Sequence, residues 1–360
     1  MKRIVLTGGG TAGHVTPNLA LLPGLRERGF EICYIGSYDG IEKKMIEAAG
    51  VPYHGISSGK FRRNLDPKNI ADIHHVAKGI REAAAIIKEF KPDIVFSKGG
   101  YVAVPVVWAA HHQKIPVIIH ECDLTPGLAN KLSFSSAVKV CCNFPETMSY
   151  LPKDKAVLSG SPIRAELLSG DREAGLRFAG FDGSKPVLLM IGGSLGARKL
   201  NEVLREALPE LQKTFDVFHI AGKGNLDESL EGRPGYCQVE FISAELKDVF
   251  AAADIVFSRA GANAICELLA LKKPNLLVPL PKESSRGDQI LNAVSFEKQG
   301  FSMVVPQAEL TPEKLVSSLA ELYENRETFR KTMSESTQSS GVDVILGLID
   351  GITGTAPKKE

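Results

Sequence analysis

The 360-residue sequence predicts an α/β protein built from two doubly wound parallel sheets in tandem. Three observations lead there. Short apolar runs alternate with helical patterns along the chain, as expected for parallel strands joined by covering helices. A glycine loop follows a strand at Gly8-Gly9-Gly10, and another follows a later strand at Gly192-Gly193, so the pattern opens twice. The length also exceeds the roughly 250–300 residues at which one core stops growing.

In the first half, Ile4–Thr7 reads as a strand, and Pro17 to Arg28 as a helix carrying Leu19, Leu22 and Leu25 and ending at Gly29. Ile32–Ile35 is the next strand. Asp93–Ser97 and Val117–His120 are buried strands, with a helix over Val102–His112 between them. The pattern restarts after Gly160-Ser161-Pro162. Val187–Ile191 is a strand, a glycine loop follows, and a helix runs from Arg198 to about Leu211. Val217–Ile220, Ile255–Ser258 and Leu276–Val278 continue as strands. The domains expected are residues 1–161 and 162–340, and 354–360 is a polar, frayed tail.

Composition excludes several classes. Hydrophobic residues are 44% and charged residues 24%, ordinary for a globular protein. The six cysteines lack CxxC spacing, which argues against zinc and against a disulfide framework. The first apolar run ends at Gly8, too early for a signal peptide, and no run is long enough to span a membrane. Net charge is +1, but residues 1–161 carry 20 Lys+Arg against 14 Asp+Glu. A basic first half suits an anionic surface or a pyrophosphate. No basic block or RNA-binding motif points to nucleic acid.

The glycine loops carry the first chemical signal. Gly8-Gly9-Gly10-Thr11-Ala12-Gly13-His14 fits G-x-G-x-x-G between a strand and a helix, where backbone N–H groups and the helix start can hold a phosphate. Lys98-Gly99-Gly100-Tyr101 and Gly192-Gly193-Ser194-Leu195-Gly196 follow other strands. A dinucleotide site would need an acid ending the second strand, which instead ends Ile35-Gly36-Ser37.

Further segments occur with these in one order: Val15-Thr16-Pro17, His120-Glu121, Pro126–Lys131, Gly160–Arg164, Ser258–Ala262 with Glu267, and Asp288-Gln289 with Asn292. The set resembles the MurG family, the UDP-N-acetylglucosamine:undecaprenyl-pyrophosphoryl-MurNAc-pentapeptide transferases of peptidoglycan synthesis, from residue 4 to about 350. The resemblance implies a GT-B fold, two Rossmann-like domains facing a central cleft. It implies inverting transfer with a β-1,4 linkage to give lipid II, and a last helix, about 341–353, that returns to the first domain. It also implies roles in cell-wall biogenesis, cell shape and division, at the cytoplasmic face of the membrane as a peripheral protein. Implied partners are UDP-N-acetylglucosamine, the undecaprenyl-linked acceptor, the anionic inner-membrane surface and other cell-wall synthesis and division proteins.

For the donor, the resemblance implicates Thr11, Ala12, Gly13, Asp123, Arg164, Ser194, Ile242, Ala262, Asn263, Glu267 and Gln289. From spacing alone Glu267 reads as an exposed helix glutamate; the resemblance makes it the ribose ligand. For the acceptor pyrophosphate it implicates Gly9, Gly10, Gly99, Gly100 and Tyr101, with Lys98 as a charge partner. His14 is the candidate base, or else a loop cap. Glu121 is a second candidate base, or else a buried structural residue. Ala12 and Asp123 depart from the family, which carries glycine and asparagine there in many members. No D-x-D sequence occurs, so no metal is expected at the donor, while Mg2+ is compatible with the acceptor pyrophosphate. Membrane contact is expected from Lys60–Leu65 and the stripe Ile70, Ile73, Val76, Ala77 and Ile80. The competing readings are another enzyme of this fold, such as a UDP-N-acetylglucosamine 2-epimerase or glycolipid synthase, an NAD-dependent dehydrogenase, and a non-catalytic nucleotide-sugar binding module.

Overall fold

The computed structural model describes residues 1–59, 68–193, 196–282, 287–336, 338 and 341–355, with backbone alone for 68–72. The tail at 356–360 and the basic segment Lys60–Leu65 lie outside the described residues, as does the Ile70 side chain. The chain forms two compact units, Met1–Arg164 with Ser340–Glu360, and Ala165–Ser339.

The first unit holds strands β1 (Arg3–Thr7), β2 (Glu31–Ser37), β3 (Tyr53–Ile56), β4 (Ile94–Ser97), β5 (Val117–Glu121), β6 (Lys139–Cys142) and β7 (Ala156–Leu158). All pair in parallel, in the order β3-β2-β1-β4-β5-β6-β7. Its helices include α1 (Thr16–Glu27), α2 (Ile41–Ala48), α3 (Lys68–Phe90), α4 (Ala103–His112) and α5 (Leu128–Ser133). Alternation along β1 divides the core. Ile4 and Leu6 pack with Leu21, Leu22 and Leu25 of α1, while Val5 packs on the other face with Ala83 and Ile87 of α3 and Val106 of α4.

The second unit holds β8 (Val187–Ile191), β9 (Asp216–Ile220), β10 (Tyr236–Val239), β11 (Ile255–Ser258), β12 (Asn275–Leu277) and β13 (Met303–Val304). They pair in parallel in the order β10-β9-β8-β11-β12-β13. Its helices are α6 (Arg172–Ala179), α7 (Arg198–Leu211), α8 (Leu246–Ala252), α9 (Ala262–Ala270), α10 (Asp288–Lys298), α11 (Pro312–Glu324) and α12 (Arg326–Ser334). Leu200, Leu204 and Leu208 of α7, spaced four apart, lie in one core with Leu188 and Met190 of β8.

The chain then returns to the first unit as α13 (Gly341–Thr353). Ile345, Leu346 and Ile349 bury in the α1 core. Gly24 leaves room for Leu346, since an added Cβ would overlap its Cδ1. Arg28 Nε meets Asp350 Oδ2 at 2.9 Å.

The α/β class with two doubly wound sheets is borne out. In each sheet the strand order reverses at one pair of neighbours, β1/β4 in the first and β8/β11 in the second. Ligands of open parallel sheets bind beyond the carboxyl ends of strands at such a switch point. The glycine loops sit there.

Candidate functional site

Two loops of the first unit interlock beyond β1 and β4. Gly10 has φ +84° and Gly100 +83°, conformations that cost other residues strain. A Cβ on Gly10 would stand 2.6 Å from Tyr101 Cε1. One on Gly100 would overlap the Gly9 carbonyl and stand 3.3 Å from His14 Nδ1. His14 closes a 3-10 turn, Ala12–His14, just before α1. Its Nδ1 lies 3.0 Å from Thr11 Oγ1. Gly9, Gly10, Thr11, Ala12, Gly13, His14, Gly99, Gly100 and Tyr101 therefore belong to one pair of interlocked loops. Burial, with the Glu42 carboxylate adding, raises the Tyr101 phenol above its ordinary value, so it stays protonated and can donate. The Gly10 N–H donates inward, to Glu42 Oε2 at 3.3 Å. A pocket of about 480 Å³ adjoins Tyr101, lined among others by Ser37, Ser57, Ser58, His75 and Lys78.

Lys98, expected beside a phosphate, is fully buried beneath the loop. Its Nζ lies 2.6 Å from His120 Nδ1, and His120 Nε2 lies 3.0 Å from the Gly160 carbonyl. Burial first, then the Lys98 charge, holds His120 well below its ordinary value. His120 is thus neutral, its Nδ1 accepting from Lys98 and its Nε2–H donating to Gly160.

Glu121 ends β5 and is buried. Its Oε1 accepts from Asp123 N at 3.0 Å, and its Oε2 from Gly127 N at 3.0 Å and Asn130 Nδ2 at 2.9 Å. Burial pushes its carboxyl above the ordinary range despite these bonds. They shape the loop that carries Asp123, and Glu121 makes none to His14. Glu121, Cys122 and Asp123 are the one cluster of metal-type donors among the described residues, within 4.8 Å. A hard cation would need the oxygens that Glu121 already commits to N–H donors.

In the second unit, Gly192 and Gly193 follow β8, and Ser194 lies outside the described residues. Gly193 and Gly196 have φ +89° and +76°. Ala262 is buried, and Asn263 and Glu267 are half-buried one turn apart on α9, which begins after β11. Gln289 starts α10 and accepts from Leu280 N at 3.0 Å. Ile242 is half-buried beyond β10. Arg164 is half-buried at the end of the first unit's main segment.

The sequence reading missed a prop beneath the β8 loop. Gly196 packs against the Ala221 carbonyl, which accepts from Asn201 Nδ2 at 2.8 Å. Asn201 Oδ1 lies 3.0 Å from His219 Nε2, and His219 Nδ1 lies 2.8 Å from the Tyr236 hydroxyl. Burial, then the Arg205 charge, lowers His219 to about 3, so it is neutral. The signal available was a histidine alternating with apolar residues in a buried strand.

Of the expected membrane stripe, Val76 is buried and Ile80 half-buried, while Ile73 and Ala77 are exposed. Among the described residues no helix is long and apolar enough to cross a membrane.

Comparison with known proteins places both halves of the chain in one family. Residues 4–142 match the glycosyltransferase family 28 N-terminal domain and residues 187–346 the glycosyltransferase family 28 C-terminal domain. The UDP-N-acetylglucosamine--N-acetylmuramyl-(pentapeptide) pyrophosphoryl-undecaprenol N-acetylglucosamine transferase of Lachnoclostridium phytofermentans is 60% identical over 98% of this chain and 99% of its own. That of Lachnospira eligens is 57% identical over 97% and 99%. The crystal structure of Acinetobacter baumannii MurG superposes with a TM-score of 0.76 at 27% identity, covering 98% of this chain and all of that one. A putative UDP-N-acetylglucosamine 2-epimerase from Listeria monocytogenes, 14% identical with a TM-score of 0.71 and full coverage of both chains, shares the fold.

Proposed function

From the fact that the chain belongs to glycosyltransferase family 28, we propose that it moves N-acetylglucosamine from UDP-N-acetylglucosamine to undecaprenyl-pyrophosphoryl-MurNAc-pentapeptide. The product is the β-1,4-linked disaccharide lipid, lipid II. The observation that carries this reading is the recurrence of a glycine turn at the point where each sheet reverses order, once per unit. A transfer between two phosphorylated substrates needs two such anion-holding turns.

The second unit takes most of the donor, and Thr11, Ala12, Gly13, Asp123 and Arg164 are its candidate ligands from the first unit. The Gly193 amide and the start of α7 stabilise the departing diphosphate, while the Gly196 N–H donates to the Gly193 carbonyl at 2.9 Å and closes the turn. Glu267, on the same face of α9 as Asn263, accepts from the ribose hydroxyls, and the backbone near Ile242 reads the uracil. Gln289 lies near the ribose or sugar. Arg164 supplies a charge-assisted bond to phosphate, and Ser194 its hydroxyl.

The first unit takes the acceptor. Its pyrophosphate lies against Gly9, Gly100 and the Tyr101 hydroxyl, and Gly99, whose N–H donates to Ser97 Oγ at 3.2 Å, shapes the turn. Gly10 shapes this surface with its own N–H turned inward. Mg2+ is compatible with that pyrophosphate, and the donor needs no metal. In the chemical step the acceptor oxygen attacks the anomeric carbon opposite UDP. The bond to UDP breaks, UDP keeps the electron pair, and the hydroxyl proton passes to His14 Nε2. This role needs the tautomer whose Nδ1–H donates to Thr11 Oγ1, the 3.0 Å contact. Glu121 acts as the shaper of the Asp123 loop, and the base is His14. The chain works at the cytoplasmic membrane face, docked through the first unit, whose sequence carries the basic excess, alongside other cell-wall synthesis and division proteins.

The test supplies labelled donor and a lipid-linked acceptor and follows label into the lipid fraction. Acceptor-dependent transfer is expected; UDP binding without transfer would reduce the protein to a nucleotide-sugar binding module.

A further inference from the structure

Glu42 stands in the first turn of α2, where a glutamate ordinarily faces water, yet it has no surface exposure. Among the described residues no cation pairs with it. Its Oε2 accepts from Gly10 N at 3.3 Å, and its Oε1 accepts from Ser37 N at 3.1 Å and Ser37 Oγ at 2.5 Å. The start of α2 adds its positive end.

Glycines from three separate segments clear its space. A Cβ on Gly9 would stand 2.6 Å from Oε1, one on Gly36 3.0 Å from Cγ, and one on Gly40 would overlap the carboxylate. This carboxylate joins the ends of β1 and β2 to the start of α2. The contacts continue outward: Gly10 backs on the Tyr101 ring, the Gly9 carbonyl backs on Gly100, and Gly100 backs on the His14 ring.

We propose that Glu42 is the positioning residue of the acceptor half. By holding the Gly10 N–H inward, with Gly9 packed against the carboxylate, it sets where Tyr101 and His14 stand. It touches neither substrate. The inference rests on the reading of the first unit as the acceptor's. All three groups facing Glu42 are donors, so a carboxylate satisfies them and a carboxamide of equal size does not. Glu42→Gln would set an N–H2 group against an N–H donor while keeping shape.

The experiment measures full transfer kinetics and melting for wild type and E42Q. The acceptor KM should rise, or kcat fall, by roughly 10- to 100-fold, the scale of one hydrogen bond to a charged group. The donor KM should stay within about twofold. A purely structural role would lower melting and scale total activity with the folded fraction while leaving both KM values and kcat per folded molecule unchanged. That result, or wild-type kinetics in E42Q, overturns the proposal. Should E42Q fail to fold, Ser37→Ala removes the 2.5 Å bond alone. It should raise the acceptor KM by a smaller factor, and an unchanged value overturns the proposal equally. No transfer by the wild type would remove the functional reading and this inference with it, whereas wild-type transfer with unaltered variants removes the inference alone.

Discussion

Gly100→Ala puts the interlocked loops under the most direct stress. The residue holds φ +83°, where a side chain costs about 1–2 kcal/mol. Its new methyl would also overlap the Gly9 carbonyl and crowd His14 Nδ1 at 3.3 Å. The Gly9 neighbour is backbone, so relief must come from moving one loop off the other. Backbone strain alone lowers melting of the first unit by about 2–8 °C, at roughly 2–4 °C per kcal/mol for a unit of this size. A displacement of about 1 Å at a reacting group can cost about 10²-fold in rate. The assay pairs a thermal melt with transfer kinetics and a UDP titration. Expected are a lowered melt, a loss of kcat near 10²-fold and unchanged UDP affinity, because UDP belongs to the other unit. A variant that melted and turned over like wild type would refute the packing argument.

Other outcomes follow from the same geometry. His14→Ala should lower kcat at least about 10²-fold with UDP binding intact, in line with general-base contributions, and a near-normal rate would remove His14 from that role. Glu267→Ala should weaken UDP binding by roughly 10- to 100-fold in calorimetry and leave the melt of the first unit alone; unchanged UDP affinity would free Glu267 of the ribose. His219 is held at about 3 when folded and returns to about 6.5 when unfolded. Between those values the unfolded chain binds the extra proton, so this contribution is full above pH 6.5 and is lost as pH falls toward 3. His219→Gln should flatten the acid side of the melting curve of the second unit by up to about 1.4 kcal/mol per pH unit; an unaltered slope would assign acid sensitivity elsewhere.

The fold was legible where burial is two-sided. Every residue of β4, β5, β9 and β11 is buried, and the corresponding runs stand out as apolar. β13 has two residues and β7 three, none of them buried, too short and too exposed to show a period. The last helix ends at Thr353, whose Oγ1 turns back to the Ile349 carbonyl at 2.8 Å and stays buried.

At the site, the glycines were legible because positive φ at a strand end leaves little choice of residue. The charged residues were not. Lys98 reads as a charge partner for a phosphate, yet it is buried with its Nζ against His120. A glutamate one residue into a helix reads as exposed, yet Glu42 is buried by glycines 33, 6 and 2 positions before it. Gly9 and His120 are close to these charges in space and distant in sequence, so spacing could not reveal them. Glu121 was visible as an acid, but its three donors, Asp123 N and Gly127 N in a loop and Asn130 Nδ2 on α5, are brought to it only by the fold.

The most direct measurement incubates the protein with labelled UDP-N-acetylglucosamine and lipid-linked MurNAc-pentapeptide, then determines UDP released, disaccharide formed and its anomeric configuration together. One inverted, β-linked disaccharide lipid per UDP is the expected result. UDP released without disaccharide, free sugar or epimerised sugar as the product, or retention of configuration would contradict the assignment of an inverting glycosyl transfer to these loops.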